Sequence, residues 1–388
     1  MTADQSSDKP SEHSRALTEL LSERVRSTGP ITFAEFMREC LYHPTHGYYS
    51  RVGTLRFSDY YTSVDVHPIF GRLLARQLAE MWALLGSPRP FVVAESAAGV
   101  GRLAGHILDF SAHALPEFYA AMEYVAVERS GARRTQHASL LADHIAAGRV
   151  SSSAEIPRVI PAGCIFSNEL LDALPVHRVL MREGALHEIF VGYENGRFVD
   201  VIGDFSTPAL LQYFGEQGIV LEEGQQAEVC FEARDWIENA GRFLGRGFIL
   251  SIDYGHEARN LYDRHHNRGT LLAYRNHEVS ENLFDAPGEQ DLTSHVNFTA
   301  LDLWGRRAGL GRSGLVTQSQ FLVALGRGNE FADLYEPEQM PAQTEVEKLR
   351  ARLLLKNLIH PEGMGEKFLV MIQHKGIEAP RLTGLSGY

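Results

Sequence analysis

Residues 92–108 read VVAESAAGVGRLAGHIL. A β-branched run carries a carboxylate at its end, Glu95. A loop of small residues follows, with Ala97, Ala98, Gly99 and Gly101, and the chain then reads as a helix. Gly99, Gly101 and Ala104 fit G-x-G-x-x-A, and Glu128 closes the next apolar run. Glycines let a ligand approach bare backbone, a helix N-terminus attracts phosphate, and an acid one strand over accepts ribose hydroxyls. That pattern alone serves a dinucleotide, or simply makes a tight strand-to-helix turn.

Glu95 separates these readings. Counted from it, the pattern is E-x-A-x-G-x-G, the loop of an S-adenosyl-L-methionine site with Ala97 in place of the first glycine. That cofactor carries an ammonium and a sulfonium and no phosphate. A strand-tip carboxylate attracts it and repels a pyrophosphate. S-adenosyl-L-methionine is therefore the expected cofactor, with Glu95, Ala97, Gly99 and Gly101 at the loop and Glu128 on the ribose. An NAD-dependent oxidoreductase fits less well, because no Ser/Tyr/Lys hydride-transfer set accompanies the loop. If Ala97 needs a positive φ, its methyl costs about 1 kcal/mol or more.

Methyl transfer is an in-line displacement that needs the acceptor atom held about 3 Å from the methyl carbon. Candidate acceptor groups follow the buried run CIFSN, residues 164–168: Asn168, Glu169 and Asp172. Ligands of open α/β sheets bind outside the carboxyl ends of the strands, which is where Asn168 and Glu169 fall. If this stretch is helical, Glu169 and Asp172 share a face and grip a guanidinium with two carboxylates. Asp172 reads equally well as a helix cap before Pro175. A second set, Gln290, Asp291 and His295, crowds a loop-to-helix entry, with His295 as a base or an orienting group. Asp291 reads alternatively as the N-cap of a helix starting at Leu292 and Val296. Asp253 and Tyr254 end a further strand and either line the acceptor site or pair with an arginine. The segment Ser152 to Glu155 is expected near the adenine.

The elements that must position these groups are legible from periodicity. Helical spacing runs from Ser14 to Val25, and again over Pro68 to Leu85. Thr32 and Glu35 make a capping box before Phe33, Phe36, Met37 and Leu41. Strands at 91–94, 124–127, 164–168 and 247–255 alternate with helices at 102–110 and 132–145, which predicts a parallel sheet with right-handed crossovers. Residues 176–202 read as three antiparallel strands with turns at REGAL and YENGRF. Residues 253–298 read as a long polar loop, a length usually reserved for function. A helix at 343–359 and a strand at 367–375 close the chain.

The 388 residues are 44% hydrophobic and 22% charged, the values of an ordinary globular protein. A net charge of -12 repels nucleic-acid backbones. The three cysteines form no C-x-x-C pair, and the 17 histidines show no ligand spacing, so neither a disulfide framework nor a metal is expected. The polar N-terminus lacks signal and transit features, and no apolar run is long enough to insert in a membrane. The expected location is the cytoplasm.

The blocks ITFAEFMRECLYHPTHGYYS, DYYTSVDVHPIFGRLLARQLAEMW, NELLDALPVHRVL, IDYG, GTLLAYRNH and PGEQDLTSHVNFTAL together resemble the MidA-like family. The likeness covers roughly residues 15–375, in the family's block order. It implies a class I, Rossmann-like α/β methyltransferase fold with seven mostly parallel strands and an antiparallel last strand, KFLVMIQHK. It implies methyl transfer from S-adenosyl-L-methionine to a protein arginine, with respiratory complex I assembly as the setting and a complex subunit as partner. It also supports Tyr61, Thr62 and Ser63 closing over the methionine end of the cofactor, where helix capping by Ser63 or Asp65 is the plainer reading. The family's loop runs E-L-G-P-G-R-G, so Ala97 departs from it. Two alternatives stay open: a small-molecule O- or N-methyltransferase, and a non-catalytic assembly factor that binds the cofactor. The expected partition is a tail at 1–13, a helical region at 14–90, a methyltransferase domain at 91–375 with insertions near 176–245 and 255–310, and a tail at 376–388.

Overall fold

The sheet has seven strands: β1 (Phe91–Ser96), β2 (Met122–Val127), β3 (Val150–Ser153), β4 (Ile160–Asn168), β5 (Leu244–His256), β6 (Gly311–Thr317) and β7 (Phe368–Lys375). Five cover the expected runs, while VSSS at β3 and GRSGLVT at β6 are too polar to read as strands from sequence. Their order across the sheet is β3-β2-β1-β4-β5-β7-β6. Strands β1 to β5 pair in parallel, and β7 runs antiparallel to both β5 and β6. This is the expected Rossmann-like sheet with its reversed last strand. Every residue of β1 is buried, as a strand covered on both faces requires. The order reverses between β1 and β4, the switch point at which open sheets bind ligands. There Ser96 pairs with Ser167, so the loops leaving β1 and β4 start side by side.

The computed structural model describes residues 11–50, 67–275, 278–334 and 345–387. These form two units. The sheet unit takes 67–171, 234–255 and everything described from 301 onward. Helix Ile69–Leu84 belongs to it and buries Ile69, Phe70, Leu73, Leu74, Leu78 and Met81. They share a core with Phe91, Ile107, Phe166, Phe248 and Phe368. Each such side chain contributes about 1.5–3 kcal/mol by leaving water. The helix expected over 132–145 is two helices, Gly131–Leu140 and Ala142–Ala146, because the buried Leu141 leaves helical geometry at φ -115°. Residues beyond 376, expected as a tail, dock instead on helix Ile69–Leu84. Gly384 N–H donates to Gln77 Oε1 at 3.0 Å, and Thr383 Oγ1 to Glu80 Oε1 at 2.7 Å.

The second unit gathers described residues from 11–50, 172–233 and 256–300. The expected N-terminal helical region is thus divided: its first half folds with the insertions. The capping box forms as expected, with Thr32 Oγ1 accepting from Glu35 N–H and Glu35 Oε2 from Thr32 N–H, both at 3.1 Å. Helix Phe33–Tyr42 packs Phe33, Phe36, Met37 and Leu41 into a core with Val191 and Phe198. The three antiparallel strands fall at His177–Arg182, Ala185–Glu194 and Arg197–Gly203. Their turns, Glu183-Gly184 and Asn195-Gly196, hold positive φ at both residues, the two-residue geometry that matches strand twist.

Residues 253–298 are more ordered than a loop. They include a three-stranded sheet of Leu272–Arg275 flanked by Glu278–Ser280 and Asp291–Thr293. Asp291 is therefore a strand residue and not an N-cap; the helix begins only at Phe298.

Candidate active site

The loop after β1 is left-handed at three positions: Ala97 at φ +60°, Gly99 at +56° and Gly101 at +91°. Gly101 has a further reason to be glycine, since a Cβ there meets the His137 ring at 3.1 Å. Ala97 therefore meets the condition under which its methyl is costly.

Neighbouring backbone and one acid fix the loop. Ala98 N–H donates to Val127 O at 2.9 Å, and Gly99 N–H to Glu128 Oε2 at 3.0 Å. The other carboxylate oxygen of Glu128 accepts Ser130 N–H at 2.7 Å. His137 Nε2–H donates to Gly99 O at 2.8 Å, and its Nδ1 then accepts from Ser152 Oγ at 2.8 Å. His137 is 1% exposed. Sequence reasoning missed it because one histidine on a helix carries no spacing signal. Ser152, expected near the adenine, thus has a partner in the loop's support.

Glu95 departs from its expected place. It is 4% exposed, one residue short of the strand end, and Tyr124 OH donates to its Oε2 at 2.7 Å. Burial lifts its carboxyl to about 7, the Tyr124 hydrogen bond holds it down, and the nearby Glu128 charge adds to the lift. The carboxylate lies beneath the loop with a tyrosine as its partner.

The segment after β4 is a turn and not a helix, so Glu169 and Asp172 share no helical face. Glu169 takes φ +54°, and its N–H donates to Ile252 O at 3.0 Å. Its Oε1 accepts from Asn168 Nδ2 at 3.0 Å. Asp253, fully buried, shapes this turn: its Oδ2 accepts Leu170 N–H at 3.1 Å and Leu171 N–H at 2.7 Å, and its Oδ1 accepts Tyr254 N–H at 2.9 Å. Asp253 is thus the template of the Glu169 turn. Asn168 Oδ1 is buried and accepts no hydrogen bond among the described residues.

The remaining candidates belong to the second unit. Asp172 is buried, and its carbonyl accepts Ser294 N–H at 2.9 Å. Asp291 Oδ1 accepts Tyr49 OH at 2.7 Å, and Gln290 Nε2 donates to Asn282 O at 3.4 Å. Burial and then the Asp291 charge push the Tyr49 hydroxyl well above its ordinary pKa. His295 N–H donates to Thr270 Oγ1 at 2.9 Å, and its ring stands 5.2 Å from that of His256. Tyr61, Thr62 and Ser63 lie outside the described residues.

A family described as "Putative S-adenosyl-L-methionine-dependent methyltransferase" matches residues 73–316, more than half of the chain. The chain belongs to this family. A protein of Burkholderia thailandensis, crystallised with S-adenosyl-homocysteine bound, is 29% identical, with a TM-score of 0.85 over 96% of this chain and 95% of that one. The human protein named "Protein arginine methyltransferase NDUFAF7, mitochondrial" is 28% identical over 93% of this chain and 84% of its own length. The Drosophila melanogaster protein named "Protein arginine methyltransferase NDUFAF7 homolog, mitochondrial" is 28% identical over 95% of this chain and 86% of its own length.

This methyltransferase has a site that fits its cofactor. The left-handed loop leaves bare backbone at Gly99, where no atom stands within 4 Å of a Cβ position. Glu128 places a carboxylate at the end of β2, where ribose hydroxyls are held in such folds. Asn168 offers a buried acceptor that an ammonium donor satisfies. No helix among the described residues is long and apolar enough to cross a membrane.

Proposed function

We propose that this methyltransferase acts on an arginine guanidinium of a protein partner, and that Glu169 receives it. The observation that carries the reading is the Glu169 carboxylate at the tip of β4, held at φ +54° in a turn built on Asp253. Strain of this kind persists where surrounding structure over-determines it, and it clusters at functional sites. The names of the curated relatives support the same acceptor.

Bound S-adenosyl-L-methionine supplies an electrophilic methyl group on a sulfonium. Ala97 and Gly99 would expose backbone to it, with the buried Gly101 letting the loop pack on His137; the remaining lone pairs of Glu128 would accept ribose hydroxyls, and Asn168 Oδ1 would accept from its ammonium. Glu169 pairs with the guanidinium, with Asn168 Nδ2 fixing the carboxylate's orientation. The guanidinium nitrogen gains the methyl carbon as that carbon's bond to sulfur breaks, which would leave S-adenosyl-homocysteine. The nitrogen sheds one proton to the Glu169 carboxylate, which passes it to solvent, and the methylated guanidinium remains a cation paired with that carboxylate. Asp291 accepts Tyr49 OH and Gln290 donates to Asn282 O within the second unit, and no step of this reading is assigned to them or to Asp172. A subunit of respiratory complex I is the acceptor that the MidA-like resemblance implies.

A second reading, a cofactor-binding assembly factor without turnover, is favoured by the strained Ala97. Glu169→Gln separates the two. The proposal expects wild-type turnover that the variant loses by at least about 100-fold, the scale of one positioned charge in a transition state, with cofactor affinity unchanged in calorimetry. Equal loss of both makes Glu169 a cofactor or folding residue.

A further inference from the structure

Three histidines far apart in sequence, His256, His266 and His295, each offer a ring nitrogen, and these atoms lie within 4.8 Å of one another. We propose that they form a binding site for one divalent transition-metal ion, with zinc as the reference ion, that clips together the insertion between β5 and the helix starting at Phe298.

The site is built and not merely crowded. His266 Nδ1 lies 2.9 Å from Asn260 O, and a carbonyl only accepts, so Nδ1 carries the proton and Nε2 keeps its lone pair. Asp263 Oδ1 stands 3.4 Å from the same Nδ1. A carbonyl and a carboxylate behind a ring nitrogen are the outer-shell partners that fix tautomer and raise basicity in metal-binding histidines. Asp263 is itself held, accepting His265 N–H at 2.8 Å. The His256 and His266 rings are 5.3 Å apart, and those of His266 and His295 6.2 Å apart. Tetrahedral zinc–nitrogen bonds of about 2.0–2.1 Å set the ligand nitrogens about 3.3 Å apart, so the three close by up to about 1.5 Å, within side-chain reach. All three residues are part-exposed, so an ion enters from solvent and a water fills the fourth position.

The site explains why a polar insertion is ordered. His256 ends β5, His266 lies in the short Arg264–His266 turn, and His295 precedes Val296, so one ion ties both ends of the insertion to a point inside it. The clip stabilises the folded state by mass action. It does not depend on the acceptor proposed above.

The test is zinc titration by calorimetry of the full chain, free of any histidine tag and first treated with chelator. One zinc per chain is expected, a raised melting temperature with it, and visible d–d bands when cobalt replaces zinc. His266→Ala and His295→Ala are each expected to weaken zinc by more than about 100-fold, and Asp263→Ala by about 10-fold. His13→Ala, at the separate His13–His46 pair, leaves it unchanged. S-adenosyl-homocysteine affinity stays constant in His266→Ala, which keeps this test apart from that of Glu169. Should His295→Ala not fold by circular dichroism, His266→Ala decides, since that side chain is 27% exposed. No stoichiometric zinc, or wild-type affinity in His266→Ala, overturns the proposal.

Discussion

Gly99 and Glu128 are joined by a 3.0 Å hydrogen bond from backbone N–H to carboxylate, so the acid ending β2 sets the loop leaving β1. Glu128→Ala removes both the loop's anchor and an acceptor for ribose. Cofactor affinity is expected to fall by about 1–3 kcal/mol, the range for a charged hydrogen bond lost from a buried site. Calorimetry with S-adenosyl-homocysteine reads it. An unchanged dissociation constant removes Glu128 from the cofactor site.

Ala97 holds φ +60° with its methyl exposed. Ala97→Gly relieves about 1–2 kcal/mol of steric cost and loses part of that to the freer unfolded chain. The expected net gain is about 0.5–1 kcal/mol in urea unfolding, with cofactor bound at least as tightly. A destabilised Ala97→Gly contradicts the strain.

Glu95 gives the chain a pH signature. The folded protein keeps the Glu95 proton up to about pH 7, whereas the unfolded chain keeps it only to its ordinary value near 4.5. The folded state binds more protons in this window, so stability falls as pH rises through it. The loss is on the order of 3 kcal/mol, complete above about pH 8. Glu95→Gln mimics the neutral acid, so its stability relative to wild type is expected to rise between pH 5 and pH 8. Parallel urea-unfolding profiles for the two proteins would show that Glu95 is ionised throughout.

Most of the sheet was legible because its central strands carry short apolar runs, Phe91–Ala94 and Cys164–Phe166 among them, whereas the polar Val150–Ser153 and Gly311–Thr317 gave no such signal. The capping box and the Asn195-Gly196 hairpin were legible because each is set by local hydrogen bonding or local φ. What escaped depends on long-range contacts. Nothing within Asn168–Asp172 announces that Asp253, on another strand, supplies the acceptors that turn this stretch away from a helix. Glu95 was correctly placed near a strand end, but its burial beneath Tyr124 is a tertiary fact. The three clustered histidines have no local spacing because the insertion itself folds to unite them.

Asp253 is the positioning residue for Glu169. Asp253→Ala leaves three N–H groups without their acceptor and is expected to cost about 2–4 kcal/mol in stability, together with turnover. Asp253→Asn keeps one acceptor oxygen and recovers part of both. Full stability in Asp253→Ala, measured by urea unfolding, contradicts the template role.

The most direct test of the account is the fate of the methyl group. Purified protein is incubated with cell extract and a donor radiolabelled in its methyl, in parallel with Glu169→Gln. Label is expected in a polypeptide, is recovered as methylarginine after acid hydrolysis, and is absent with the variant. Label confined to small molecules, or equal labelling by wild type and variant, contradicts it.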